Sequence, residues 1–136
     1  MAQRDVVLRW IEQLGRVIAR LIRSGTGADL DIAADQIEEA ITSLLGPLTQ
    51  LVPRIDVASS AELLHDPERI FGWAQLMDLS AAIAIARNQV GAAEQGRARA
   101  LAAACEAVRR SADPPAEWHE WIAARGGGDR TLSSGT

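Results

Sequence analysis

Asp78 is the residue of this chain best placed to do chemistry. It is the single charge between Arg69 and Arg87, inside the stretch Ile70 to Val90, IFGWAQLMDLSAAIAIARNQV. A carboxyl group on so apolar a helix is raised in pKa by desolvation unless a cation answers it. A raised carboxyl would suit a small enzyme or a ligand-binding bundle, as a general acid or base. The competing expectation is a structural ion pair with Arg16, Arg20 or an arginine of the helix that follows. His65 and His119 are the two histidines, and neither has metal-ligand spacing around it, so a metal site would have to be assembled by the fold. His65 is expected beside Asp66 at a helix junction, and His119 in solvent between Trp118 and Glu120. Cys105 is the single cysteine; with no candidate base at a fixed spacing it reads as an inert core residue. Ser59-Ser60, Gly25-Thr26-Gly27 and Gly126-Gly127-Gly128 contain no phosphate-loop lysine and no dinucleotide fingerprint, so no cofactor is expected.

The helix that carries Asp78 must be surrounded. At 100° per residue its polar side chains Gln75, Asp78 and Gln89 share one narrow stripe, and apolar or small residues fill the remaining circumference. Its interruptions set it apart from a membrane span. Asp66-Pro67, a capping residue followed by proline at the first helical position, marks its start. It is expected to run to about Val90, where Gly91 allows a turn. A second Ala-rich helix then reaches Arg110, with Ala98, Leu101, Cys105 and Val108 facing in. Asp113-Pro114-Pro115 opens a last short helix, Ala116 to Arg125, with Trp118, Trp121 and Ile122 on one side. The tail over 126–136 is Gly- and Ser-rich and expected to be disordered.

The first half repeats this plan. From Gln3 to Ser24 the residues Val6, Val7, Trp10, Ile11, Leu14, Val17, Ile18, Leu21 and Ile22 cover an apolar arc of roughly 160°. Arg9, Arg16, Arg20 and Arg23 lie opposite, with Asp5 and Glu12 four residues before Arg9 and Arg16. Gly25-Thr26-Gly27 breaks this helix, and Asp29 or Asp31 is expected to cap the next, which ends at Gly46-Pro47. Its apolar side is Leu30, Ala33, Ala34, Ile37, Ile41, Leu44 and Leu45. Asp31, Asp35, Glu38 and Glu39 occupy the other side, so a basic-faced helix is followed by an acidic-faced one in an antiparallel hairpin. Between the halves, Pro47 to Ser60 is a connector with about one helical turn at Leu48 to Val52. Ser59 with Glu62 fits a capping box for a short helix, Ala61 to His65.

No segment alternates with period two for long enough to make a strand. The expected fold is all-α, a bundle of two long helical hairpins plus a short C-terminal helix, with one helical domain over 1–125. All 14 basic residues are arginine, an excess that reads as coding bias from a GC-rich genome, and 18 acidic residues bring the net charge to −4. That balance argues against a general nucleic-acid binder. One cysteine allows no intramolecular disulfide, and Arg4, Asp5 and Arg9 interrupt what would be a signal peptide, so a cytoplasmic protein is expected.

Trp10-Ile11-Glu12-Gln13-Leu14 is similar to Trp73-Ala74-Gln75-Leu76, and Ile18-Ala19-Arg20 precedes Gly25 much as Ile85-Ala86-Arg87 precedes Gly91. A tryptophan near the start of one helix, with alanines where two helices cross, resembles the tetratricopeptide repeat pattern. The run Arg9 to Arg20 also resembles small, uncharacterised bacterial helical proteins whose long first helix has the form R-x-I-E-Q-L-x-R-x-I-A-R. The resemblance implies protein interaction rather than catalysis. The expected function is therefore a helical interaction or scaffold module that is not an enzyme and whose partner is another protein or a second copy. Trp118, Trp121 and Ile122 are the expected contact residues, because little chain remains to cover two tryptophans on so short a helix. Peripheral membrane association through the Arg-rich first helix is the further alternative, weakened because the core needs that helix's apolar arc.

Overall fold

The computed structural model describes residues 2–126, with side chains from Leu8 onward; the tail expected to be disordered lies outside the described residues from position 127. Among them are six α-helices and no strand: α1 Ala2–Ser24, α2 Gly27–Leu45, α3 Val57–Leu64, α4 Pro67–Ala86, α5 Val90–Arg110 and α6 Ala116–Ala124. The connector between α2 and α3 holds two 3-10 turns, Gly46–Leu48 and Val52–Arg54, rather than one helical turn.

The α4 helix is central, as its composition requires. It packs against α1, α2, α3 and α5, and it supplies buried residues to both apolar clusters. On the α1–α2 side, Leu76 and Ile83 meet Ile11, Leu14, Ile18, Ala33, Ile37 and Ala40. Towards α5 and α6, Ile70, Phe71, Trp73 and Ala74 meet Ala103, Ala104, Ala107 and Trp118. Close approach makes both contacts possible: a Cβ on Gly72 would lie 3.2 Å from Ile11 Cδ1, and one on Gly96 would lie 3.3 Å from Ala81 Cβ.

The helix boundaries correct several expectations. Gly25, at φ 72°, ends α1, and Thr26 rather than Asp29 or Asp31 caps α2, its Oγ1 accepting the Asp29 N–H at 3.1 Å. Asp56 rather than Ser59 caps α3, accepting the Ser59 N–H at 3.1 Å. Ser60 then falls inside the helix, fully buried, and its hydroxyl donates to Asp56 O at 3.0 Å. Asp66 and Pro67 start α4 as expected, with Asp66 Oδ1 accepting the Glu68 N–H at 3.1 Å. The end of α4 comes at Ala86, not near Val90, and Gly91 lies inside α5. Asn88 makes the turn at φ 62°. Its N–H donates to Ile85 O at 2.9 Å, and the Gln89 N–H donates to Ala84 O at 2.8 Å. This is a Schellman ending with asparagine in the left-handed position.

The phase of α5 is also corrected. Ala93, Ala100, Ala103, Ala104 and Ala107 are buried, Leu101 and Val108 are half-buried, and Ala98 and Cys105 are exposed. The close crossing with α4 selects the smallest side chains for the interior, whereas an apolar periodicity gives most weight to the larger ones.

Two arginines pin the connector. Arg69 donates from Nε to Leu44 O and from Nη2 to Leu45 O, both at 2.9 Å, satisfying carbonyls that the end of α2 leaves without helical partners. Arg99 reaches Ile55 O and Val52 O, each at 3.3 Å, with its guanidinium 5.7 Å from the Trp73 ring centroid.

Candidate interaction surface

The α6 helix has nine residues, too few to be stable without tertiary packing. Its aromatic side chains supply that packing. Trp118 is 5% exposed and stacks on Phe71, and Trp121 meets the same ring edge-on at a centroid distance of 5.4 Å. Ile122 and Trp121 are half-buried against that cluster. The three residues expected to contact a partner are thus brought together as a seal over Phe71, and Trp118 has little area left to offer.

Asp78 is paired, but not with Arg16, Arg20 or an arginine of α5. Arg125, just after α6, donates from Nε to Asp78 Oδ2 at 2.9 Å and from Nη1 to Trp121 O at 3.1 Å. Its guanidinium also sits 3.8 Å from the Trp121 ring centroid. The pair lies in an open groove of about 820 Å³, together with Glu94, Arg97, Ala98, Leu101 and Ala124. No histidine lines it. His65 is exposed at the end of α3, and His119 is exposed on α6. Cys105 is exposed rather than core, and partial desolvation together with the Glu106 carboxylate pushes its thiol up, away from the reactive thiolate. Among the described residues no group of three or more His, Cys, Asp or Glu could hold a metal ion, and no helix is long and apolar enough to cross a membrane.

The surface that composition did not reveal is the outer face of α1 and α2. The inward side of α1 is Ile11, Leu14 and Ile18, but Trp10 and Val17, expected in the core, are 38% and 39% exposed. Their place on the helix explains it. Trp10 and Val17, seven residues apart, fall on the flank of the apolar arc beyond Leu14. With Gln13, Leu14, Gln36 and Glu39 they line a shallow groove of about 360 Å³ between the two helices. Ile32, 48% exposed, precedes Gln36 by four residues and so shares that flank of α2. Gln36 Oε1 is buried here without a hydrogen-bond partner.

Charge borders the groove on both sides. Arg9, Arg16, Arg20 and Arg23 are exposed on α1, and Asp31, Asp35, Glu38 and Glu39 are exposed on α2. Asp31 accepts a hydrogen bond from Arg87 Nη2. Among the described residues, none of the other seven takes part in an ion pair.

No protein-family model matches the chain, no curated protein matches it, and no solved structure matches its fold.

Proposed function

We propose that this chain is a helical protein–protein interaction module whose contact surface is the outer face of α1 and α2. The observation that carries the reading is the groove of Trp10, Leu14 and Val17, with Ile32 exposed on the same flank of α2, between a row of arginines and a row of carboxylates. Apolar side chains rimmed by unspent charge are the composition of an interface: an aromatic anchor that gains by losing water, and a polar border that sets orientation. The resemblance of the chain to the tetratricopeptide repeat pattern supports the same kind of function. Trp118, Trp121 and Ile122 then belong to the stability of the module, and Trp10 takes over as its anchor.

The alternatives have weaker support. In the α4–α6 groove the Asp78 carboxylate and the Arg125 guanidinium are spent on each other, and the remaining acid, Glu94, is exposed, without the burial that tunes a catalytic carboxyl. Membrane association through α1 would need its apolar arc, and Ile11, Leu14 and Ile18 are already occupied in the core.

A photo-reactive residue at Gln13, compared with one at Ala102 on the exposed side of α5, tests the proposal in cells. Cross-linking concentrated at position 13 and lost in Trp10→Ala, with the thermal midpoint moved by only a few degrees, is the expected result. Equal yields from both positions would end this assignment of the surface.

A further inference from the structure

We infer that the outer face of α1 and α2 docks on the same face of a second copy, about a two-fold axis parallel to the two helices. This rests on the reading of that face as a protein-binding surface and names its occupant. The charge pattern carries it. Among the described side chains of α1 the exposed charges are Arg9, Arg16, Arg20 and Arg23 with Glu12, whereas α2 has Asp29, Asp31, Asp35, Glu38 and Glu39 and no basic residue.

A face-to-face pair of identical chains has its two-fold axis in the plane of contact, and the axis can run along the helices or across them. Along them, α1 of each copy lies over α2 of the other, so arginines meet carboxylates twice. Across them, α1 lies over α1, and like charge meets like. Juxtaposed like charges are the larger penalty, so the pattern selects the first arrangement.

That axis preserves height along the helices, so each α1 residue meets the α2 residue level with it in its own hairpin. Gln13 and Val17 share their groove with Gln36 and Glu39, which places Arg16 level with Asp35 of the partner subunit. The two apolar seams close on one another, covering Trp10, Val17 and Ile32. Size fits as well: 19 residues of α2 at about 1.5 Å each, by two helix widths of about 10 Å, project on the order of 600 Å². Accessible area exceeds projected area, which brings the face near the ~800 Å² per partner of a standard interface.

Sedimentation over a concentration series of the full chain reads the outcome. A dimer that weakens between low salt and about 0.5 M salt is expected, because the rim charges are screened. Arg16→Glu and Asp35→Arg should each weaken it about tenfold, each reversing two symmetry-related contacts. Mixing those two variants should restore wild-type affinity. Arg16→Glu mixed with wild type should stay weaker than wild type alone; a tighter mixture means the axis runs across the helices and overturns the arrangement. Trp10→Glu should abolish the dimer while circular dichroism shows the same helix content. A wild-type chain that remains monomeric up to about 1 mM overturns the inference. If that monomer still cross-links a different protein from position 13, self-docking fails and the interaction reading survives; if it cross-links nothing, both fail. A monomer that instead co-sediments with phosphatidylserine vesicles through Arg16 replaces the second copy with a lipid surface.

Discussion

Trp118 lies flat on Phe71, with ring centroids 4.6 Å apart and planes 8° from parallel. The stack fastens α6 to α4, together with Trp121 edge-on to the same ring and the Arg125–Asp78 pair, while the helix also packs on α5. Trp118→Ala removes a buried ring and opens a cavity beside Phe71, a change that typically destabilises by about 3–5 kcal/mol. Thermal unfolding should show a fall of about 10 °C or more for a chain of this size. Trp10→Ala, at an exposed position, should change the midpoint by only a few degrees. If the two variants melt together, α6 is not held through its tryptophan.

How far these side chains could be read in advance depended on their partners. Trp118, Trp121 and Ile122 share one side of α6 as helical spacing requires, but nothing local to α6 identifies Phe71 as the ring beneath them. Asp78 likewise needed a cation, and Arg125 stands 47 residues away in the chain, where no spacing rule reaches. Trp10 and Trp73 occupy equivalent places in the weak internal repeat. The second is buried and the first half open, because α4 packs against four helices and α1 against α2 and α4, with its outer face uncovered.

Asn88 offers a clean test of the turn between α4 and α5. With φ at 62° its side chain sits in a region that costs ordinary residues roughly 1 kcal/mol and glycine almost nothing. Asn88→Gly should therefore leave unfolding unchanged or raise the midpoint slightly, and Asn88→Val should lower it. Denaturant melts of the two variants separate the possibilities: equal stability for Gly and Val would mean that the left-handed turn is not a constraint.

Acid should weaken the fold through identifiable carboxylates. Hydrogen bonds from Ser59 hold the Asp56 carboxyl below its usual value, and Arg109, then Arg110, do the same for Glu106. A carboxyl lowered by folding adds stability that is fully present above its unfolded pKa of about 4, and that is lost as pH falls through the folded value. The wild-type melting temperature should accordingly drop between about pH 5 and pH 3. Asp56→Asn keeps a good capping residue with nothing to titrate, so the drop should be shallower in that variant and in Glu106→Gln. Parallel curves for all three proteins would place the acid sensitivity elsewhere.

Boundaries were legible where two signals coincided and illegible where one residue had to outrank another. Asp66 with Pro67 marks α4 unambiguously, since cap and proline agree. At the start of α3, Asp56 and Ser59 are both capable caps, and choosing between them requires knowing that Ser60 is buried. For α5 the obstacle was alanine. A helix that crosses its neighbour with Gly96 against Ala81 has an interior face with hardly any apolar signal, and Leu101 and Val108 drew the predicted face around to their own side. That crossing also predicts that Ala81→Leu, which adds three heavy atoms at a closed contact, will destabilise by about 1–3 kcal/mol in denaturant unfolding. No change would mean the helices can part without loss.

Val17 and Ile18 are neighbours in α1 with opposite environments, 39% and 0% exposed. Ile18 packs in the cluster shared by α1, α2 and α4, so Ile18→Ala should cost about 2–5 kcal/mol of stability. Val17→Ala removes a side chain from the open groove and should stay within about 0.5 kcal/mol of wild type. Association should respond in the opposite order. Under conditions where both variants are folded, Val17→Ala should weaken self-association, because the groove loses apolar area, whereas Ile18→Ala should leave the dissociation constant of the folded chain unchanged. Paired melts and sedimentation runs on the two proteins make the comparison. If Ile18→Ala weakens association as much as Val17→Ala does, α1 meets its partner by leaving the bundle rather than across its outer face.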